Sequence, residues 1–214
     1  GVINFNGKEI TLDADFDTSI TADTDDQIDI RVGGSDQIKI ATGEVAFNEA
    51  SGDVDFRVES NGSANMLFVD GGNNRIGINN GSPSDDFELT PSADGKGITL
   101  KTTDNVRPYF NIDANRSGAG NNLGNINFKW NGTEVARIIG VAGADTTNKD
   151  DALITFQTAS AGSPDERMRI DSSGNVLVGK TSTGDFTTGF EVQPAGAIVL
   201  YRSSGVAGLF GRTD

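Results

Sequence analysis

Apolar residues in this chain recur at every second position in short runs, and most runs end on a turn built from Gly, Asn or Asp. Ile10 and Leu12, then Ile28, Ile30 and Val32, then Ile38 and Ile40, then Val54, Phe56 and Val58 each place their side chains on one face of a short strand. The same period returns in Ile76 and Ile78, Phe87 and Leu89, Ile98 and Leu100, Phe110 and Ile112, and Ile126, Phe128 and Trp130. It continues in Ile154 and Phe156, Val176 and Val178, and Phe190 and Val192. Helical spacing is almost absent, so the predicted fold class is all-β. Between "INFKW" and "TEVARI" stands Asn131-Gly132, a pair that tolerates the two positive φ angles of a type I′ hairpin. Asn6-Gly7, Asn61-Gly62 and Asp70-Gly71 carry the same chemistry, and the five Pro stand at segment edges, where a missing ladder donor costs little.

Only 35% of the 214 residues are hydrophobic, while 28 are Gly, so each strand has one apolar side and little aromatic mass. Strands of this kind make a weak core within one chain. With 31 acidic against 17 basic residues the net charge is -14, spread along the chain, which opposes nucleic-acid binding because no basic row stands ready for phosphates. The absence of Cys and His removes disulfides, thiol nucleophiles, Ser-His-Asp triads and zinc sites of Cys or His type. No apolar run approaches the roughly 18 residues of a membrane span. The chain opens on "GVINFNGKEI", without Met or a leader pattern, and stops on the strand-like "GVAGLFGRTD", so it reads as a piece of a longer gene product.

Three motifs invite chemistry. Gly174 and Gly179-Lys180-Thr181 satisfy the spacing of a phosphate-binding loop, but Val176, Leu177 and Val178 fill the interval with strand formers, and no amphipathic helix follows. Asp13, Asp15 and Asp17 imitate the start of a calcium loop, yet Thr18 stands where Gly is required and Thr24 where a bidentate Glu is required. The reading adopted instead has Leu12, Ala14 and Phe16 facing in and the Asp residues facing water; the alternative is an irregular ion site built by several chains. Asp165 and Glu166 offer neighbouring carboxylates for glycoside hydrolysis, but nothing singles them out beside a sugar platform. Trp130 alternates with Phe128 and Ile126 and is read as core or interface. Asn61 and Asn131 match glycosylation acceptors and are read as hairpin turns.

An imperfect repeat is visible. "MLFVDGGNNRIGI" (66–78) lines up with "RMRIDSSGNVLVG" (167–179), with Asp70 on Asp171 and Gly77 on Gly179, the second copy one residue longer in its turn. Each is followed by a Phe-Glu-apolar strand, at Phe87 and Phe190. The predicted organisation is an N-terminal β segment (1–52), a first repeat module (53–90), a more globular β-sandwich-like module ending in the second copy (91–180), and a C-terminal β segment (181–214).

The phrases "DVDFRVESNGSANMLFVDGGNNRIGI", "INFKWNGTEVARIIGVAGADTTNKDDALITFQTA" and "SPDERMRIDSSGNVLVGKTS" resemble repeated segments of tailed-bacteriophage fibre proteins, especially those of marine phages, over most of 53–182. The stretch from "PAGAIVLYRSSG" onward is similar to the region that precedes a C-terminal self-cleaving chaperone module in longer relatives. The resemblance implies an elongated homotrimeric fibre, with an interwoven or β-prism-like shaft, in the tail of a virion. Its implied partners are sister copies, other tail proteins and a glycan or protein receptor on a bacterial surface, with no nucleic acid, no membrane insertion and no cofactor.

The expected role is therefore structural and adhesive, without catalysis. Ile28, Ile30, Val32, Ile38, Ile40, Val54, Phe56 and Val58 are expected to face a trimer axis, since a core shared between chains would cover those stripes. Two polar loops, "NRSGAGNNLG" (115–124) and "GADTTNKDD" (143–151), are the candidates for glycan contact, with plain connecting loop as the competing reading. The alternatives are a tailspike polysaccharide depolymerase on a parallel β-helix and a bacterial surface filament or adhesin.

Overall fold

The computed structural model describes residues 7–22, 24–184 and 187–204. These contain sixteen strands and no helix, hence none long and apolar enough to cross a membrane. The chain divides into two compact units between Lys101 and Thr102.

The first unit holds two sheets. One is an antiparallel meander of β1 (Ile10–Thr11), β2 (Ser19–Thr21), β3 (Gln27–Val32), β4 (Ser35–Ala41) and β5 (Glu44–Phe47). Gly33 and Gly34, at φ 59° and 74°, make the two-residue turn that joins β3 to β4. Register aligns Ile10, Ile20, Ile30, Ile38 and Phe47 in one cross-strand row, and Ile28, Ile40 and Val45 in the next. This apolar face is the uncovered one, with Ile28 44% and Ile40 41% exposed. The polar face is instead enclosed at Ser19, Thr21 and Asp29. Long polar side chains on that face hold one another down: Gln27 Nε2 donates to both Asp29 oxygens at 2.9 and 2.8 Å, Arg31 Nε to Asp36 at 3.1 Å, and Lys39 Nζ to Glu49 at 2.6 Å.

The second sheet comprises β6 (Phe56–Ser60), β7 (Ser63–Asp70), β8 (Arg75–Ile78) and β9 (Phe87–Leu89). Its last pair is parallel, and Phe56, Val69, Ile76 and Phe87 form its apolar row. The rings of Phe47 and Phe56, 4.9 Å apart, bring the two sheets of this unit into contact.

The second unit is a seven-stranded antiparallel meander: β10 (Asn122–Trp130), β11 (Thr133–Ala142), β12 (Ala152–Thr158), β13 (Asp165–Ile170), β14 (Val176–Val178), β15 (Gly189–Val192) and β16 (Ile198–Tyr201). Asn131 at φ 48° and Gly132 at 84° form the β10–β11 turn as the dipeptide predicts. Every residue of one row is apolar, from Ile126 through Ile138, Phe156, Met168, Val178 and Phe190 to Leu200. That face too is open, with Ile126 51% and Ile198 65% exposed. The opposite face encloses Ile139, Thr155, Leu177 and Glu191. Among the described residues Phe68, Ile139 and Leu177 are the only buried large apolar side chains, and the exposed ones outnumber them several-fold.

The structure corrects several expectations. The described part of the second unit is one sheet, not a sandwich-like pair, and hydrogen bonding carries that sheet past residue 180 through β15 and β16. No strand forms between Thr90 and Asn121, so the alternation at Ile98, Leu100, Phe110 and Ile112 lacks a ladder partner among the described residues, and Phe110 stays 78% exposed. Alternation fits a residue to a sheet, but a strand exists only where a neighbour accepts its hydrogen bonds. The parallel β-helix is not the fold, since β8–β9 is the one parallel pair among the described strands. Neither Asn61 nor Gly62 takes a positive φ; the β6–β7 hairpin closes with a register shift between Val58 and Ser60 instead. Trp130 is not core in this chain, being 79% exposed at the tip of β10. Asn6 of the first predicted turn and the pattern at 205–214 lie outside the described residues.

Register also corrects the repeat. Val69 pairs with Ile76 and Phe68 with Gly77, while Ile170 pairs with Val176 and Arg169 with Leu177. The counterpart of Gly77 is therefore Leu177, not Gly179, and the second turn is one residue shorter than the first.

Candidate functional site

The two polar loops singled out in the sequence meet in space. Because β10 and β11 are antiparallel neighbours, the start of β10 and the end of β11 lie at the same end of the sheet, which brings residues 115–121 beside residues 143–151. Backbone bonds join them: Gly120 N donates to Ala142 O at 2.9 Å and Ala142 N to Asn121 O at 2.9 Å. Between the loops and the preceding segment lies a cavity of about 440 Å³.

Ile112, Leu123 and Ala142 supply the apolar part of its lining, and two glycines shape it. A Cβ on Gly124 would stand 2.2 Å from Ile112 Cγ2, and one on Gly143 would stand 2.3 Å from the Asp151 carboxyl group. Those two glycines let Ile112 and Asp151 close in on the backbone. Two of the three acidic groups of the 143–151 loop, Asp145 and Asp151, are turned onto their own chain. Asp145 accepts from Thr147 N and Asn148 N, both at 2.9 Å, and from Asn148 Nδ2 at 2.8 Å, and these donors hold its carboxyl below the ordinary range. Asp151 accepts from Ala144 N at 2.8 Å and Asp145 N at 3.0 Å. Lys149, in the left-handed region at φ 57°, reaches across to Asn115 Oδ1 at 2.7 Å and ties the rims together. Arg116, Asp113 and Thr146 complete the rim, and their side chains have no protein partner among the described residues. Sequence reasoning found the loops but not Ile112 or Asp113, which lie outside both phrases.

The other sequence candidates resolve differently. Val176–Val178 is a strand, and Lys180 is turned inward onto Glu191 at 2.9 Å with both side chains enclosed, its Nζ also 5.5 Å from the Tyr201 ring centre. An ammonium held there is not presented to a phosphate. Gln193 first, and then Lys180, lowers the carboxyl pKa of Glu191. Glu166 is gripped by Arg169 on both oxygens, and the exposed Asp165 lies 3.6 Å from Arg167.

Asp13, Asp15 and Asp17 do not alternate outward: their carboxylates converge to within 4.8 Å of one another, while Leu12 and Phe16 are exposed. Phe16 at φ 65° bends the segment, and Thr18 N donates to Asp13 at 3.2 Å, so this is a turn and not a strand. Burial, then the Asp15 charge, pushes Asp17 up, while the Thr18 hydroxyl holds Asp13 down. Asp53, Asp55 and Asp70 form a second such group, with Asp55 accepting from Gly71 N at 3.1 Å.

Of the residues expected at a trimer axis, Ile28, Ile30, Ile38 and Ile40 lie on the open apolar face of the first sheet, and Val32 is exposed at the end of β3. Phe56 and Val58 share the apolar face of the second sheet, and Val54 lies exposed just before β6. No family model matches the chain, and no curated protein matches it.

Proposed function

We propose that this chain is a structural, non-enzymatic segment of a phage tail fibre that assembles as a homotrimer and takes part in attachment to a bacterial surface. The observation that carries the reading is the open apolar face on each of the three sheets, beside only three enclosed large apolar side chains among the described residues. Fully burying one Val, Leu, Ile or Phe side chain contributes about 1.5–3 kcal/mol. Association costs on the order of 4–15 kcal/mol in lost freedom. The row Ile10, Ile20, Ile30, Ile38 and Phe47 is part-exposed in each copy, so covering it in three copies contributes a free energy of the same order as that cost. Sister copies are suited to the task, because these rows are uncharged and each copy, at net charge -14, can approach another only where the charges are absent. The resemblance of 53–182 to fibre segments supplies the biological setting, the virion tail. Negative-stain images test it: elongated particles with threefold symmetry are expected, and compact particles of single-chain size would overturn it.

A further inference from the structure

We propose that the cavity between residues 115–121 and 143–151 binds an uncharged sugar residue carrying a methyl-bearing substituent, such as an acetamido or 6-deoxy group. The source, a bacterial surface glycan, rests on the attachment reading; the chemistry rests on the cavity alone. At about 440 Å³ the space lies within the range of small-ligand sites. Sugar hydroxyls both donate and accept, so their site needs donors and acceptors side by side. Arg116 and Thr146 supply unengaged donors, Asp113 an unengaged acceptor, and Lys149 has donor capacity beyond its one bond to Asn115.

The rim also argues against a charged ligand. Arg116 and Lys149 stand against Asp113, Asp145 and Asp151, so an acidic sugar meets a net negative wall, while a cationic ligand finds Asp145 and Asp151 committed to backbone N–H groups and only Asp113 open, beside two cationic side chains. Beside these polar groups, Ile112, Leu123 and Ala142 offer an apolar lining that hydroxyls cannot satisfy and a methyl group can. No aromatic ring lines the cavity, so selectivity comes from its apolar and polar lining groups and not from stacking.

The test is ligand-observed saturation-transfer NMR on the full chain with N-acetylglucosamine, N-acetylgalactosamine, rhamnose, glucose and glucuronate, beside sedimentation of the same sample. Saturable transfer centred on the methyl protons is expected for at least one methyl-bearing sugar, with glucose weaker and glucuronate weakest. Thr146→Trp, at an exposed loop position, fills the cavity and is expected to abolish the signal. Arg116→Ala is expected to weaken binding by about tenfold. Absence of saturable transfer from every methyl-bearing sugar, tightest binding of glucuronate, or binding that survives Thr146→Trp would each overturn the proposal. A three-chain assembly that ignores these sugars removes the sugar site and leaves the fibre reading; a single-chain species that binds them does the reverse.

Discussion

The two copies of the strand, turn and strand phrase differ in how they use the same beginning. In β7–β8, Asp70 accepts from Asn73 N at 2.8 Å; in β13–β14, Asp171 accepts from Ser173 N at 3.0 Å and Asn175 N at 2.9 Å. Each turn is thus organised by one carboxylate, and in each the next strand brings a Glu alongside the residue two positions beyond Arg75 or Asn175. In the first copy β9 runs parallel and Glu88 lies opposite Gly77; in the second β15 runs antiparallel and Glu191 lies opposite Leu177. The loop of the first copy folds over the sheet so closely that a Cβ on Gly77 would lie 2.1 Å from Asn80 O. The second copy fills the corresponding place with Leu177, fully enclosed, beside the Lys180–Glu191 pair, and there the backbone of Gly184 hydrogen-bonds the Glu191 carboxylate. One phrase therefore packs in two ways: at 77 a glycine lets backbone approach directly, and at 177 a leucine side chain occupies the enclosed space.

This comparison can be broken in a graded way, read as thermal midpoints by calorimetry. Lys180→Met is expected to cost most, because it strands an enclosed carboxylate whose remaining side-chain partner is Gln193, and adding Glu191→Leu should recover much of the loss. Leu177→Ala follows, at about 2–5 kcal/mol for a large-to-small change in an enclosed site. Gly77→Ala is expected to cost about 1–3 kcal/mol by forcing the Asn80 loop away, although the new side chain is only a methyl group. If Gly77→Ala is neutral, the loop-over-glycine account of the first copy fails.

The smallest effect concerns acid. Asn73 holds the Asp70 carboxyl below its ordinary 3.8; at Asp171 burial pushes upward, but Asn175, Ser173 and Arg169 outweigh it and hold the group low as well. A folded-state pKa below the unfolded one adds stability that is fully present above the unfolded value and disappears as pH falls through the folded one. The midpoint of wild type should therefore hold steady above about pH 4 on account of these two groups and decline below it. Asp70→Ala and Asp171→Ala should start lower and decline less. A decline of equal steepness in the two variants would show that the turn carboxylates contribute nothing.

Much of the fold was legible in the sequence for a physical reason: a period of two marks which side chains share a face, and Asn131-Gly132 fixes its hairpin within two residues. What was not legible depends on distance. The stretch holding Ile98 and Phe110 alternates like a strand yet finds no partner among the described residues, and local pattern carries no information about partners. Lys180 and Glu191 are eleven positions apart and look like any two surface charges until β14 and β15 pair. The cavity was half legible: its loops stood out as polar, Gly-rich phrases, but their meeting follows from the β10–β11 register, and Ile112 joins them only because Gly124 has no side chain.

Sedimentation equilibrium at neutral pH puts the central idea to the test most directly. The account predicts a species of three times the 22.4 kDa chain mass, reduced to smaller species when Ile30 and Ile138 are together replaced by Asp. A stable single-chain species, with its isoleucine faces left in water, would contradict it.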